Sequence, residues 1–444
     1  MRYSRPGIAG ASQRASRLSE CGGIIPPPRA SAPGESDLPT PCGGMFFSGK
    51  VGYLQRAGFR KRRPFPPARP ASFGERAMST RPAPTLHDPA LCRALTRRLE
   101  DLLQRMATPR LRFMEVCGTH TVAIFRGGLR ALLPEGVTHL TGPGCPVCVT
   151  DDSEVAAFLK LAEQSGVILA TFGDLMRVPG PDGLSLKHAQ AAGARISVIY
   201  SPLDALSLAA AHPQDLVIFL GVGFETTAPA TAATILTAEQ RGIDNFAVCT
   251  CHKLVPPALA ALLADAENGI DAFLLPGHVS TVLGPAPYEF IARDWSRPAI
   301  IAGFEPADIL DGLCRMAAQY VDGNIRVENA YPRAVGEDGN PRARSVVDQV
   351  FQVCDASWRG LGRLADSGLA LRPSYSRFDA LDRLGIRPPA VRPIPGCRCG
   401  DVLRGRLAPD ACPLFGTACT PSSPVGPCMV STEGSCAAQY NYGV

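Results

Sequence analysis

Residues 215–241 read DLVIFLGVGFETTAPATAATILTAEQR. An apolar run, DLVIFLGV, passes through a polar, glycine-bearing turn, GVGFETTAP, into a segment of helical character, TAATILTAEQR. The same unit recurs along the chain. Upstream stand LRFMEV before VAIFRGGLRALL, then GVILATF and ARISVIY. Downstream stand NFAVCT before PPALAALLADA, then AFLLP, then PAIIAGF before PADILDGLCRMAAQY. Short continuous apolar runs separated by helices indicate parallel βαβ units whose strands are buried on both faces. This predicts an α/β protein with two parallel-sheet domains, over residues 86–212 and 213–330, followed by an irregular cysteine-rich domain over 331–444. Within that last part GNPRARSVVDQVFQV reads as a helix. Residues 389–444 have almost no periodicity, and such a segment needs a metal or covalent cross-links to hold together.

Residues 1–85 differ from the rest. They are rich in Arg, Pro, Ser and Gly, and bury too little apolar surface to offset ordering entropy. They read as a disordered basic extension, or as the product of a start upstream of a true start at Met78. Thirteen Lys and Arg face four Asp and Glu in residues 1–80, while the remainder carries 32 basic and 36 acidic groups. The formal charge of +5 therefore reflects a tail and not a nucleic-acid-binding face. No run of eighteen apolar residues and no signal-like apolar segment is present, so the expectation is a cytoplasmic protein without a membrane span. Sixteen cysteines in such a chain point to metal ligation or redox chemistry.

The polar turns after the strands carry the chemistry: EVCGTH, GPGCPVC, TFGDLMRVPG, GVGFETTAP, TCHK, PGHVS and GFEP. In open α/β sheets ligands bind outside the carboxyl ends of the strands. Cys117, His120, Cys145, Cys148, Asp174, Glu225, Cys251, His252, His278 and Glu305 are thus candidates to converge on one or two crevices. Cys145 and Cys148 form a CxxC pair before the segment VTDDSEVAAFL, which reads as a helix whose N-terminus would acidify a thiol. The pair is either a reversible dithiol, half of a zinc site or two buried thiols. Cys117, just past a strand, offers a soft thiolate for a low-valent transition metal, with His120 near enough to orient or ligate. The plain alternative for Cys117 is a small buried hydrophobe. His212, Cys92, Cys314 and Cys354 have no partner pattern and read as structural. Neither a Walker A motif nor GxGxxG occurs, and GVGFETT lacks the lysine of a P-loop.

Six of the sixteen cysteines lie between Cys397 and Cys436. Zinc ribbons use closely spaced knuckles, whereas only Cys397 and Cys399 are close here. Wide spacings suit an iron–sulfur cluster, whose size takes ligands from separate loops. Zinc or disulfides remain open on spacing alone.

These residues resemble the hydrogenase maturation (expression/formation) protein family HypD. The resemblance runs from about Leu111 to Tyr442 and rests on FMEVCGTHTVAIFRGGLR, GPGCPVCVT, GVGFETTAP, LLPGHVSTVLG, PYEFI, GFEPADIL, WRGLG, SGLALR and CPLFGTACTPSSPVGPCMVSTEGSCAA. It implies a redox-active scaffold that works with a HypC-type chaperone and a HypE-type cyanide donor, and that carries a transient Fe(CN)2CO iron. It implies that Cys117 holds that iron together with a chaperone cysteine, that Cys145 and Cys148 are the thiol pair near it, and that Asp174 and His278 sit in functional loops. The family spacing Cx14Cx6Cx16C falls on Cys397, Cys412, Cys419 and Cys436 as ligands of a [4Fe–4S] cluster. That leaves Cys399 and Cys428 as a second redox pair, with Glu433 at an acidic position beside the cluster. The implied fold class is two parallel-sheet βαβ domains plus a C-terminal iron–sulfur domain. A disulfide reductase of the ferredoxin–thioredoxin type, without an extra iron site, is the competing expectation.

Overall fold

The structure is a computed structural model, and it describes residues 86–265, 267–391 and 394–443. The predicted N-terminal extension, with Met78, lies outside these residues up to residue 85. Strands in chain order are β1 (Leu111–Glu115), β2 (Val137–Thr141), β3 (Val167–Thr171), β4 (Ile196–Val198), β5 (Leu216–Gly223) and β6 (Phe246–His252). They continue with β7 (Ala272–Pro276), β8 (Ala299–Ala302), β9 (Val327–Asn329), β10 (Phe351–Trp358) and β11 (Gly362–Leu371).

The α/β reading holds: two sheets are wholly parallel, ordered β2-β1-β7-β8-β9 and β4-β3-β5-β6. The quoted stretch behaves as read. β5 is buried along nearly its whole length, and helix Ala228–Gln240 returns over it. Because side chains alternate across a strand, Val217 and Phe219 face one core while Ile218 and Leu220 face another.

The expected division at residue 212 does not separate the sheets. β3 to β6 all belong to one sheet, and the other is built from β1 and β2 together with β7 to β9. The chain leaves the first sheet after β2, completes the second, and then returns. Each parallel strand needs only a crossover to reach its neighbour, so sequence order says little about which sheet it joins. β2 itself was not foreseen, because VTHLT is polar and short and only its last two residues are buried.

The segment after residue 330 is also more regular than expected. Helix Pro341–Val350 stops at Val350, where Phe351 opens an antiparallel hairpin of β10 and β11. Phe351, Leu369 and Leu371 pack onto the second sheet's core. Beyond it come short helices at Cys399–Leu403 and Ser435–Tyr442. Leu403, Met429 and Ala437 are buried in the same cluster as Phe273, Leu275 and Ile301 of the first sheet. The cysteine-rich segment therefore gains apolar burial from the first sheet as well as from any group its thiols hold.

Candidate functional site

β1 runs Leu111–Glu115 and delivers Cys117 to the start of helix Gly118–Arg126. Glu115 is fully buried beneath it. One Glu115 carboxylate oxygen accepts from the Cys117 backbone N–H at 3.0 Å and the other from the Thr121 hydroxyl at 2.6 Å. This fixes the turn from below. Burial pushes the Cys117 thiol up to about 12, and the nearby Glu433 and Glu115 charges add to that; the helix N–H groups of Thr119 and His120 pull the other way. The thiol is thus a closed, protonated donor that a metal must deprotonate to bind.

Two other chain segments close over Cys117. Thr119 donates its hydroxyl to Glu433 at 3.0 Å, and its oxygen lies 3.5 Å from His278 Nδ1. His278 starts the helix that follows β7, and its ring lies tilted against Phe304, just past β8, with centroids 4.2 Å apart. His120 also packs on Phe304, with ring centroids 4.6 Å apart. Its Nε2 donates to the Gly303 carbonyl at 2.9 Å, so Nδ1 carries the lone pair. That Nδ1 is buried without a partner among the described residues. Burial holds His120 at about 4, hence neutral and free to accept or ligate near pH 7. Burial also lowers His278, and it raises Glu433, with Asp174 and Glu115 adding to the rise.

Asp174, after β3, accepts from the Ser431 hydroxyl at 3.0 Å, and Arg177 donates to the Val430 carbonyl at 3.1 Å. The 430–433 turn of the cysteine-rich segment is thereby tied to the second sheet by Asp174 and to the first by Glu433. A Cβ on Gly118 would stand 2.5 Å from Glu433 Cβ, so only glycine admits this approach.

The CxxC pair sits on a separate turn beside this site. Cys145 and Cys148 are disulfide-bonded, with Cα atoms 5.2 Å apart, and both are buried. Cys148 lies in a four-residue helix, Pro146–Val149, that Cys145 caps, and the longer helix expected from VTDDSEVAAFL follows it, beginning at Asp152. The Asp151–Glu154 capping box starts that second helix and enforces the break. The glycines of GPGCPVC do allow a close approach: Gly118 N–H donates to Gly144 at 2.9 Å, and a Cβ on Gly144 would lie 2.2 Å from Cys117 N. Cys148 Sγ lies 4.0 Å from the Pro427 carbonyl, next to Cys428.

Four candidates stay away from this centre. Glu225 caps Val255 N–H at 2.8 Å, and burial pushes its carboxyl up to about 7. His252 packs on Thr231 and Phe351. Cys251 contacts Cys249. Glu305 caps helix Pro306–Asp322. Thr119, Phe304, Gly303 and Ser431 were not singled out from sequence. They lie inside the quoted motifs CGTH, GFEP and STEG, and nothing but their proximity in space marks them.

Cys397, Cys399, Cys412, Cys419 and Cys436 line one apolar pocket with Val402, Leu414, Phe415, Val425 and Met429. The Cys399 and Cys428 thiols donate to Cys436, holding it at about 6, and contacts with Cys399 and Cys436 push Cys428 up. No disulfide links these six. Among the described residues no group of three or more His, Cys, Asp and Glu is placed to hold a metal ion. The donors nevertheless fit an iron–sulfur cluster in kind. They are soft sulfurs from separate loops, and Gly426 lies where a Cβ would be 2.5 Å from Cys397 Sγ and 2.7 Å from Cys399 Sγ.

No helix of the described residues is long and apolar enough to cross a membrane. The family model HypD, described as "Hydrogenase formation hypA family", matches residues 90–443. The chain is 48% identical over 333 residues to the hydrogenase maturation factor HypD of Escherichia coli (strain K12), covering 75% of this chain and 89% of that protein. It is 46% identical to the protein of that name from Cupriavidus necator, covering 75% and 90%. With the one from Rhodobacter capsulatus it shares 44% identity, covering 81% and 98%.

Proposed function

The chain belongs to the HypD family of hydrogenase maturation factors, and from that premise we propose that it is the scaffold on which an Fe(CN)2CO unit is assembled for a [NiFe]-hydrogenase. The observation that carries this reading is the convergence of Cys117, His120, His278 and Glu433 from three segments onto one buried turn beside a CxxC pair. A soft donor and a neutral imidazole, both buried, suit low-spin Fe(II), which is the cargo here.

Cys117 supplies the thiolate for that iron, completed by a cysteine of a HypC-type chaperone, and a HypE-type partner delivers cyanide as thiocyanate. His120 Nδ1, unpartnered among the described residues, would take the thiol proton or ligate. The reduced Cys145/Cys148 pair splits thiocyanate: the dithiol and one thiocyanate ion give the disulfide, a cyanide ion and hydrogen sulfide, with both electrons and both protons coming from the thiols. Cys397, Cys412, Cys419 and Cys436 would hold a [4Fe–4S] cluster, which supplies single electrons when bound. Cys399 and Cys428, in contact with each other and with Cys436, would be a second thiol pair, and the Pro427 carbonyl next to Cys428 lies 4.0 Å from Cys148 Sγ.

Anaerobic purification with iron, sulfide and infrared measurement tests the reading. We expect about five iron atoms per chain and cyanide and CO bands; about four iron atoms and no bands would instead mark a disulfide reductase. Cys145→Ala should keep the cluster's visible absorbance and lose the bands. If that variant still accumulates them, the dithiol has no part in ligand attachment.

A further inference from the structure

The turn Trp358–Gly360 joins the two thiol-bearing regions. Trp358 pairs with Thr150, and the Arg359 N–H donates to the Val149 carbonyl at 2.9 Å, at the end of the CxxC helix. Gly360, at φ +82°, lies against Gly400: a Cβ there would stand 2.5 Å from Gly400 Cα. Gly400 follows Cys399. These three residues thus touch both the CxxC turn and the segment that carries Cys399.

Arg359 lies within this wedge with only 8% of its side chain exposed. Nε donates to the Thr150 carbonyl at 3.0 Å and Nη1 to Asp152 at 2.5 Å. Nη2 is buried and has no partner among the described residues. A buried guanidinium N–H without an acceptor is costly, and the group that would satisfy it is anionic. The neighbouring chain supplies the direction. Asp152 lines a cavity together with Ile394 and Pro395, just before Cys397, and Gly360 packs on Gly400, just after Cys399, so the guanidinium pair lies against the segment that carries these two thiols.

We propose that Arg359 gives its free Nη2 donor and its charge to the thiolate-held group of the cysteine pocket, and so sets that group's reduction potential, with Asp152 limiting the effect. The inference rests on the cluster reading above. Reduction adds one electron to an already anionic centre and breaks no bond of the protein. A cation and an N–H donor beside the sulfurs favour the reduced form. Asp152, 15% exposed, offsets part of that charge. Arg359 also touches the CxxC helix through its backbone N–H.

The test is an EPR-monitored redox titration of the full chain, reconstituted anaerobically with iron and sulfide, as wild type, Arg359→Met, Arg359→Lys and Asp152→Asn. Arg359→Met should hold its iron and sulfide, but its reduced-to-oxidised ratio at the wild-type midpoint should fall about tenfold, equal to about 59 mV for one electron. Arg359→Lys should recover part of the loss, and Asp152→Asn should move the ratio the other way. A loaded Arg359→Met within twofold of wild type overturns the proposal, as does an Asp152→Asn shift of the same sign. If Arg359→Met does not fold, Asp152→Asn decides: no upward shift overturns the proposal. Wild type that takes up neither iron nor sulfide sinks the cluster reading instead.

Discussion

His252 shows how a single residue outside the candidate site governs behaviour with pH. Burial holds its imidazole down at about 3, with the neighbouring Lys253 charge adding to that, and its Nδ1 has no partner among the described residues. In the unfolded chain it would protonate near 6.5. Its neutral burial therefore stabilises the fold fully above about pH 6.5, and this is lost as pH falls toward 3, by about 1.4 kcal/mol per unit. Glu225 works in the opposite sense, since its folded value near 7 exceeds the unfolded one and its contribution fades as pH rises through that range. The clean observable is a difference: urea unfolding of His252→Gln against wild type should show a stability gap that changes by about 1.4 kcal/mol per pH unit between pH 6 and 4. A gap independent of pH would mean the ring is protonated in the fold. Reading TCHK as a site motif was natural from its place after a strand. The side chain instead faces Thr231 and Phe351 inside the core, and the period-two alternation that turns it inward became visible only once β6 had a sheet.

At the scale of elements, the site depends on backbone approaches that admit no side chain. The GPGC turn packs on the Cys117 turn so closely that a Gly144 Cβ would meet backbone at 2.2 Å. No rotamer relieves that clash, so Gly144→Ala should cost about 1–3 kcal/mol and separate the CxxC turn from Cys117. Gly166 is the control. Nothing lies within 4 Å of its would-be Cβ, and only its φ of +70° penalises alanine, by about 1–2 kcal/mol. Denaturant midpoints compare the two, and protection of the Gly118 amide in hydrogen exchange should fall only in Gly144→Ala. Equal exchange in both would show that the contact does not hold the turn. The two glycines were legible as an approach motif in the sequence. The four-residue helix at the CxxC turn was not, because it stands apart from the next helix only through the Asp151–Glu154 capping box.

In the whole molecule the cysteine-rich segment is a clasp between the sheets, tied by Ser431 to Asp174, by Glu433 to Thr119 and by Arg130 to Gln439. If its thiols also hold a cluster, Cys419→Ser should abolish the brown colour and loosen residues 397–443 while β1 to β11 keep their protection in hydrogen exchange, because ligation energy is folding energy in such a segment. Uniform loosening, or none, would count against the assignment. The sequence by itself determined the α/β class, the polar turns at the carboxyl ends of the strands, the family motifs and the six clustered cysteines. These are local patterns of two to twenty residues, written in periodicity and spacing. Only the tertiary structure decided which strands share a sheet, that the chain leaves the first sheet and returns to it, and that Glu433 rather than Glu225 or Glu305 reaches Cys117. Those outcomes depend on contacts between segments up to about three hundred residues apart, as in the Thr119–Glu433 bond with its separation of 314. Parallel crossovers leave such pairings free until the hydrophobic faces choose their partners.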